Sequence, residues 1–162
     1  MKLTFVPPDG WLTVVTPELT MHSLAGTSVR IEVLPLIPLP DDRRAWGENI
    51  LRRHMPANGS VQQVHIADAT TELGWPLTLV TTVLRDAAGV PVEGQLAAVF
   101  ELLYYGGVIV CRTEPADAAK WEELRPEIFR RLGEVVPDFT TDEVERIDSL
   151  YDMTGAPTPR PA

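Results

Sequence analysis

Short runs of alternating apolar and polar residues fill the first quarter of the chain. The runs WLTVV, LTMHSL and SVRIEVL have the two-residue period of β-strands, and turn residues separate them. We therefore predict two or three strands between Trp11 and Pro38. The next segment has aspartates at its start and Pro56 after its end, and these signals predict one helix of about fourteen residues from Asp41 to Met55.

Four longer apolar runs follow between residues 61 and 114. Their sequences are VQQVHIADATTEL, WPLTLVTTVLRD, VEGQLAAVFELLYY and VIVCRTE. Only short connections separate them, whereas a parallel return would need a crossover of about a dozen residues. The pattern therefore predicts an antiparallel four-strand meander.

A helical pattern replaces the strand pattern after Glu114. Apolar residues recur at steps of three and four between Ala118 and Val135, which is typical of an amphipathic helix that covers one face of a sheet. Pro126 lies inside this stripe. We expect it to kink the helix or to split it.

The chain is predicted to form one domain followed by two short segments. Residues 1–138 make an α+β domain, an antiparallel sheet of about six or seven strands with two main helices packed on one face. Thr140 and Glu143 have the spacing of a capping box, which predicts a short amphipathic helix within residues 139–152. Residues 153–162 are predicted to be a Pro-rich tail.

A glycine pair at 106 and 107 predicts the loop of the last hairpin, because two-residue loops need a positive φ that glycine accepts. This register places Glu101 opposite Arg112, an ion pair across the strands. The alternation then places Cys111 on the face without charges, where the helices are expected to pack. We interpret Cys111 as a buried core residue and not as a nucleophile.

The opposite face of this hairpin is apolar as well. An antiparallel sheet normally has one apolar and one polar face, so a second apolar face is either covered by another element or available to a partner. Both interpretations stay open at this point. In the second case, the residues of the partner-binding groove would be Val99, Glu101, Leu103, Tyr105, Val108, Val110 and Arg112.

The sequence contains no recognisable catalytic, cofactor-binding or metal-binding motif. It has neither a nucleophile elbow nor a phosphate-binding or dinucleotide-binding glycine loop. None of His22, His54 and His65 forms a close pair with another ligand at helical or hairpin spacing, apart from the weak combination of His65 with Asp68. We therefore expect a protein that is not an enzyme and that holds no cofactor or metal.

Charge and hydropathy exclude two classes of partner. The 162 residues carry a net charge of −9, and the segment from Glu114 to Asp152 contributes twelve acidic and five basic side chains. Such a chain repels phosphate backbones, so a nucleic acid is not expected as a partner. No apolar run approaches the ~20 residues of a membrane helix, and the N-terminal sequence lacks the pattern of an export signal. We expect a cytoplasmic protein without stable membrane insertion.

The order of the predicted elements resembles the DcrB-related proteins, which have the PsbP-like fold. The FELLYYGGVIVCRTE hairpin and the spacing of Trp121 and Phe129 in the last long helix carry the resemblance, which covers about Phe5 to Val136. DcrB itself is an exported lipoprotein, but this sequence has no lipobox cysteine near its start. The Eag chaperones, a cytoplasmic branch in bacteria, shield hydrophobic segments of type VI secretion effectors. A yeast relative binds the GTPase Ran.

The resemblance and the apolar sheet together lead to one main hypothesis. The protein is expected to be an adaptor or chaperone that shields an apolar segment of a protein partner, such as a type VI secretion effector. One alternative is a small-molecule-binding domain or an enzyme with an apolar cavity, in which His65 or Tyr104 acts as acid or base. The other is a GTPase-regulating adaptor. Whether the chain forms a homodimer stays open.

Overall fold

The computed structural model describes residues 2–53, 63–85 and 88–138. The predicted helix at 139–152 and the tail at 153–162 lie outside these residues. The helices are α1 (Arg43–Arg53) and α2 (Ala118–Gly133), and a short 3-10 turn at Pro115–Asp117 precedes α2. The strands are β1 (Lys2–Thr4), β2 (Leu12–Val15), β3 (Thr20–Ser23), β4 (Arg30–Val33), β5 (Ile37–Pro38), β6 (Gln63–Thr70), β7 (Pro76–Arg85), β8 (Pro91–Leu102), β9 (Tyr105–Arg112) and β10 (Val136–Asp138).

One antiparallel sheet of eight strands forms the centre of the molecule. Its order is β2-β3-β4-β9-β8-β7-β6, with β5 beside β9. The predicted meander is confirmed as β6 to β9, and the three early strands are confirmed as β2 to β4. The sequence did not predict a separate two-stranded pair, in which β1 lies against β10. The α+β class is therefore confirmed, with more strands than expected.

The two helices pack on opposite faces of the sheet. We call the face under α2 the α2 face; Trp121, Ile128 and Leu132 cover it, together with Leu3 and Phe5 from the N-terminal segment. Val29, just before β4, joins this cluster, and its sheet residues are Ile31, Val33, Leu77, Leu96, Ala98, Phe100, Leu102, Ile109 and Cys111. The interpretation of Cys111 as a core residue is confirmed, because it is buried.

The other face is covered by α1, and we call it the α1 face. Its buried cluster joins Ile50 of α1 to five sheet residues, with Trp46 packed against them. These five are Val80, Ala97, Val99, Val108 and Val110. The prediction that both helices share one face is therefore wrong. The physical reason is that the central strands are apolar on both sides, so each side needs its own cover.

The hairpin loop between β8 and β9 lies earlier than predicted. Leu102 pairs with Tyr105, so the loop is Leu103 and Tyr104, and Leu103 has the positive φ of 58°. Gly106 and Gly107 lie inside β9, where their missing side chains make room for neighbours. A Cβ on Gly106 would lie 2.6 Å from a ring atom of Trp46 in α1. The glycines therefore serve close packing and not the turn.

Helix α2 runs through Pro126 without being split. The proline is on the exposed side of the helix, where water can satisfy the carbonyl that loses its hydrogen-bond donor. No helix in the described ranges is both long and apolar enough to cross a lipid bilayer.

Candidate functional site

The predicted groove residues do not form an open surface. The structure does bring Val99, Val108 and Val110 together, but they are 0%, 1% and 0% exposed beneath α1. Helix α1 approaches closely because Gly47 faces the sheet, where an added Cβ would be 2.9 Å from Val80 Cγ2. Of the two interpretations of the second apolar face, the covered one applies in this structure.

The remaining groove residues are distributed along the hairpin. Glu101 lies opposite Gly106, whereas Arg112 lies opposite Gln95 at the other end of β9. Gly106 and Arg112 are six residue steps apart along an extended strand, a distance of about 20 Å. The predicted pairing of Glu101 with Arg112 is therefore wrong.

The other two predicted residues lie at the end of the hairpin. Leu103 occupies the loop itself, and Tyr105 is half-buried beside Leu102 and Pro38. Neither side chain continues the buried row formed by the valines. The seven residues therefore do not combine into one surface, and their role in partner binding stays a prediction.

The described residues do not assemble a recognisable catalytic centre. His22 is buried at the α2 face against the ring of Phe5, and its Nδ1 shares a hydrogen bond of 2.8 Å with the Thr13 hydroxyl. Burial lowers the pKa of His22 below its ordinary value. His65 is exposed on β6, far along the sheet from the loop that holds Tyr104. Within these ranges no group of three or more His, Cys, Asp or Glu could hold a metal ion.

An exposed apolar strand at one edge of the sheet is the most distinctive surface of the described chain. Strand β2 pairs with β3 and lies at one end of the strand order. Its three large apolar side chains, Leu12, Val14 and Val15, are 60%, 50% and 65% exposed. We call Leu12–Val15, with the backbone side that no described strand pairs, the β2 edge. Natural sheets usually protect such an edge, because it can pair with another chain.

The β2 edge presents apolar side chains to both faces of the sheet. Leu12 and Val14 lie opposite Ser23 and Met21, whose register places them on the α1 side. Val15 points the other way and borders a shallow cavity of about 300 Å³. Other residues of this cavity are Thr16, Pro17, Leu19, Thr20, Val33 and Pro35. An added strand would therefore find apolar contacts on either side.

The charges around the β2 edge are acidic. The sequence from Leu3 to Val29 contains no lysine or arginine, and its two acidic residues are Asp9 and Glu18. Both are exposed, one in the turn before β2 and the other in the turn after it. The edge is therefore an apolar strand with a negative charge near each end.

The sequence contained a signal for the β2 edge that the prediction did not use. In WLTVV, Leu12 and Val14 point to one face of the strand and Val15 points to the other. A strand with apolar residues on both faces cannot bury them all in one core. What the sequence could not show is that this strand ends the sheet. That position depends on pairing between β4 and β9, which are distant in the sequence.

A buried ion-pair cluster lies on the α1 side at one end of the central strands. Glu32 accepts from Arg112 Nη2 at 3.0 Å and lies 3.4 Å from Arg30 Nε. Beside the two arginines is a cavity of about 380 Å³. Its lining residues are Met21, Ser23, Thr27, Ser28, Val29, Arg30, Gln95, Arg112, Thr113 and Glu114. This cavity is mainly polar, unlike the apolar cavity of the small-molecule hypothesis.

The fold defined by this sheet and its two helices is PsbP-like. Among solved structures the chain is similar to cyanobacterial PsbP (CyanoP) from Synechocystis sp. PCC 6803, with a TM-score of 0.51 and 13% sequence identity. The match covers 84% of this chain and 86% of that one. No family model and no curated protein matches the sequence. At this identity, the likeness defines the fold alone.

Proposed function

We propose that this protein is a non-enzymatic adaptor or chaperone that binds an apolar segment of a protein partner through the β2 edge. The observation that carries the proposal is the exposure of Leu12, Val14 and Val15 on a strand whose outer backbone is unpaired within the described chain. A surface of this kind is costly for a protein that has no partner for it.

The binding mode is the addition of a strand to the sheet. A partner segment in extended conformation forms backbone hydrogen bonds along β2, while its alternate side chains contact Leu12 and Val14 on one side and Val15 on the other. Pairing of this kind shields the apolar segment from water. The proposed binding surface is therefore β2 and not the sheet face beneath α1.

Charge complementarity defines the partner more closely. Asp9 and Glu18 near the ends of β2 favour an apolar segment with lysine or arginine on its flanks. A second copy of this chain would bring the same acidic groups together. A type VI secretion effector with such a segment is the partner class that the resemblance to the Eag chaperones supports.

A designed peptide tests this mode without knowledge of the natural partner. The probe is a peptide of alternating valine and threonine with two lysines at each end, titrated into ¹⁵N-labelled protein. We expect saturable shifts of the amide signals of residues 12–15. In the variant Val14→Asp, binding should be lost, because a carboxylate replaces an apolar contact. The added negative charge alone would strengthen the binding of a basic peptide.

The matched control is Val90→Asp, which places the same charge at another exposed valine. It should bind at least as well as the wild type. The proposal is overturned if Val14→Asp binds normally, or if both variants lose binding equally. It is also overturned if sedimentation at low ionic strength, where the net charge of −9 keeps copies apart, shows that the wild type already pairs with a second copy through β2.

A further inference from the structure

Four neighbouring strands contribute polar side chains to a single row at one end of the α1 face. Ser23 of β3 lies opposite Arg30 of β4, which lies opposite Arg112 of β9, which lies opposite Gln95 of β8. All four residues border the cavity of about 380 Å³. The centre of this face is the apolar cluster beneath α1. We therefore expect this row of polar and charged side chains to have a role other than core packing.

The row holds more positive than negative charge. Glu32 is the shared partner of Arg30 and Arg112, so one carboxylate faces two guanidinium groups. The side chains of Glu32 and Arg112 are 9% and 11% exposed, so water screens their charges only weakly. Burial lowers the pKa of Arg112, Arg30 lowers it further, and Glu32 raises it. The two guanidinium groups thus share the single carboxylate of Glu32.

Arg30 is the more accessible of the two guanidinium groups. Its side chain is 45% exposed, and its Nε faces Glu32 while the cavity lies beside it. The planar guanidinium offers two further nitrogens in the geometry that matches a carboxylate. Arg30 can therefore hold an anion without releasing Glu32.

Two other acidic residues lie near the cavity. Asp117 accepts hydrogen bonds from the backbone N–H and the hydroxyl of Ser28, and these bonds lower the pKa of Asp117. These neutral donors keep Asp117 ionised, so it retains its negative charge. Glu114 is the acidic residue among those that line the cavity, and it is exposed at the rim. A ligand with one negative charge suits this balance better than a dianion.

We propose that this cavity binds a small organic acid with a single carboxylate. The carboxylate accepts from the guanidinium of Arg30 and is held by the charge of Arg112, while the polar remainder of the ligand faces Gln95, Ser23 and Thr27. The site is independent of strand addition at β2. The two adjoin, however, because Leu12 lies opposite Ser23.

The test is a titration of the ¹⁵N-labelled protein with sodium lactate, with sodium chloride added to keep the ionic strength constant. We expect saturable shifts of the amide signals of Ser23, Gln95 and Arg112. Arg30→Gln should weaken the apparent affinity by about tenfold, which is typical for loss of a charged hydrogen bond. Glu114→Gln should strengthen it by about threefold, because a like charge leaves the rim.

The control variant is Arg44→Gln. It removes an exposed arginine of α1 that is paired with Asp68 at the other end of the same face. It should leave the lactate affinity unchanged. Opposite effects of Arg30→Gln and Glu114→Gln cannot come from a general loss of folding, and thermal unfolding of each variant verifies this.

Three results would overturn the site. One is a shift that grows linearly without saturation, and another is an equal response to lactate and chloride. The third is an unchanged affinity in Arg30→Gln. Since neither variant touches β2, peptide binding at the β2 edge should survive both substitutions.

Discussion

Two glycines near the start of β9 determine how closely other elements approach the sheet. Gly106 lies beneath Trp46, and Gly107 lies beneath Leu3 and Leu36. The two contacts are on opposite faces, since neighbouring residues of a strand point to opposite sides. This pair of glycines therefore permits close contact with α1 on one side of the sheet and with the N-terminal strand on the other.

We expect Gly106→Ala to lower the free energy of unfolding by about 1–3 kcal/mol, the usual cost of overpacking. The new Cβ would lie 2.6 Å from Trp46, so the indole ring must move outward. Gly133→Ala is the control, because no atom lies within 4 Å of its Cβ position. In a helix, that change should stabilise by up to about 1 kcal/mol. Urea denaturation measures both, and equal effects would contradict the packing role.

His22 should make stability depend on pH in the weakly acidic range. Burial lowers its pKa in the folded state below the ordinary value of 6.5. The unfolded chain therefore takes up a proton first as the pH falls. The free energy of unfolding should decrease from about pH 7 downward until the folded-state pKa is reached.

The matched pair of variants is His22→Gln and His65→Gln. The first should reduce the slope of stability against pH between about pH 7 and pH 5, because a buried histidine is removed. The second should retain the slope, because His65 is exposed. Identical slopes in the wild type and His22→Gln would show that another group is responsible.

At the level of elements, α1 decides whether the second apolar face is core or surface. Only its Trp46 and Ile50 belong to the described cluster on that face, and Gly47 lets the helix approach Val80 and Val99. With these two described apolar side chains, a short helix covers five sheet residues. Its anchoring should depend strongly on each contact.

Ile50→Ala tests this anchoring. Ile50 is buried at 6% exposure, so its truncation should cost about 2–4 kcal/mol of unfolding free energy. Val90→Ala removes methyl groups from an exposed valine and should change stability by less than about 0.5 kcal/mol. Binding of a hydrophobic dye by folded Ile50→Ala would show that the face has opened. A cost as small as that of Val90→Ala would mean that α1 contributes little.

The faces of the β8–β9 hairpin were predictable from the sequence although its loop was not. The true loop is three residues earlier, so the partner of Glu101 changes from Arg112 to Gly106, a shift of six positions. An even shift leaves the residues up to Leu102 and those from Val108 onward on their predicted faces, whereas Tyr105 moves to the α2 side opposite Leu102. Cys111 therefore remained on the α2 side.

The errors arose where long-range pairing decides the outcome. The glycine pair favoured a loop locally, but packing against Trp46 and Leu3 placed it inside β9. The side of the sheet on which α1 packs likewise depends on how the whole chain is connected, and the sequence of α1 alone does not determine it. The exposure of β2 has the same origin, since pairing elsewhere made it an edge. Hydrophobic periodicity predicts the elements and the face to which each side chain points. Contacts between distant elements determine which element covers each face and which strand lies at the edge of the sheet.

At the level of the whole molecule, net charge and the β2 edge act in opposite directions. The charge of −9 keeps copies of the chain apart, while the apolar edge favours pairing between them. Salt screens the repulsion and not the apolar contact. The balance should therefore depend on ionic strength.

We expect self-association to increase when NaCl is raised from about 0.02 M to about 0.5 M, because the Debye length then falls well below protein dimensions. Sedimentation velocity at several protein concentrations measures the change. Val14→Lys should suppress it by placing a charge on the edge, whereas Val90→Lys should not. Association that is equal in both variants would place the contact elsewhere.

The pairing of β1 with β10 determines how the folded unit responds to mechanical force. Lys2 faces Asp138 at the outer end of the pair, and Thr4 faces Val136 at the inner end. Tension between the two ends of the described chain therefore separates one residue pair after another, like a zipper, instead of shearing all three together. We expect this strand pair to open at low force and release the cover that Leu3 gives to the α2 face. Pulling on the two ends of the described chain would therefore open this three-residue pair before the eight-stranded sheet.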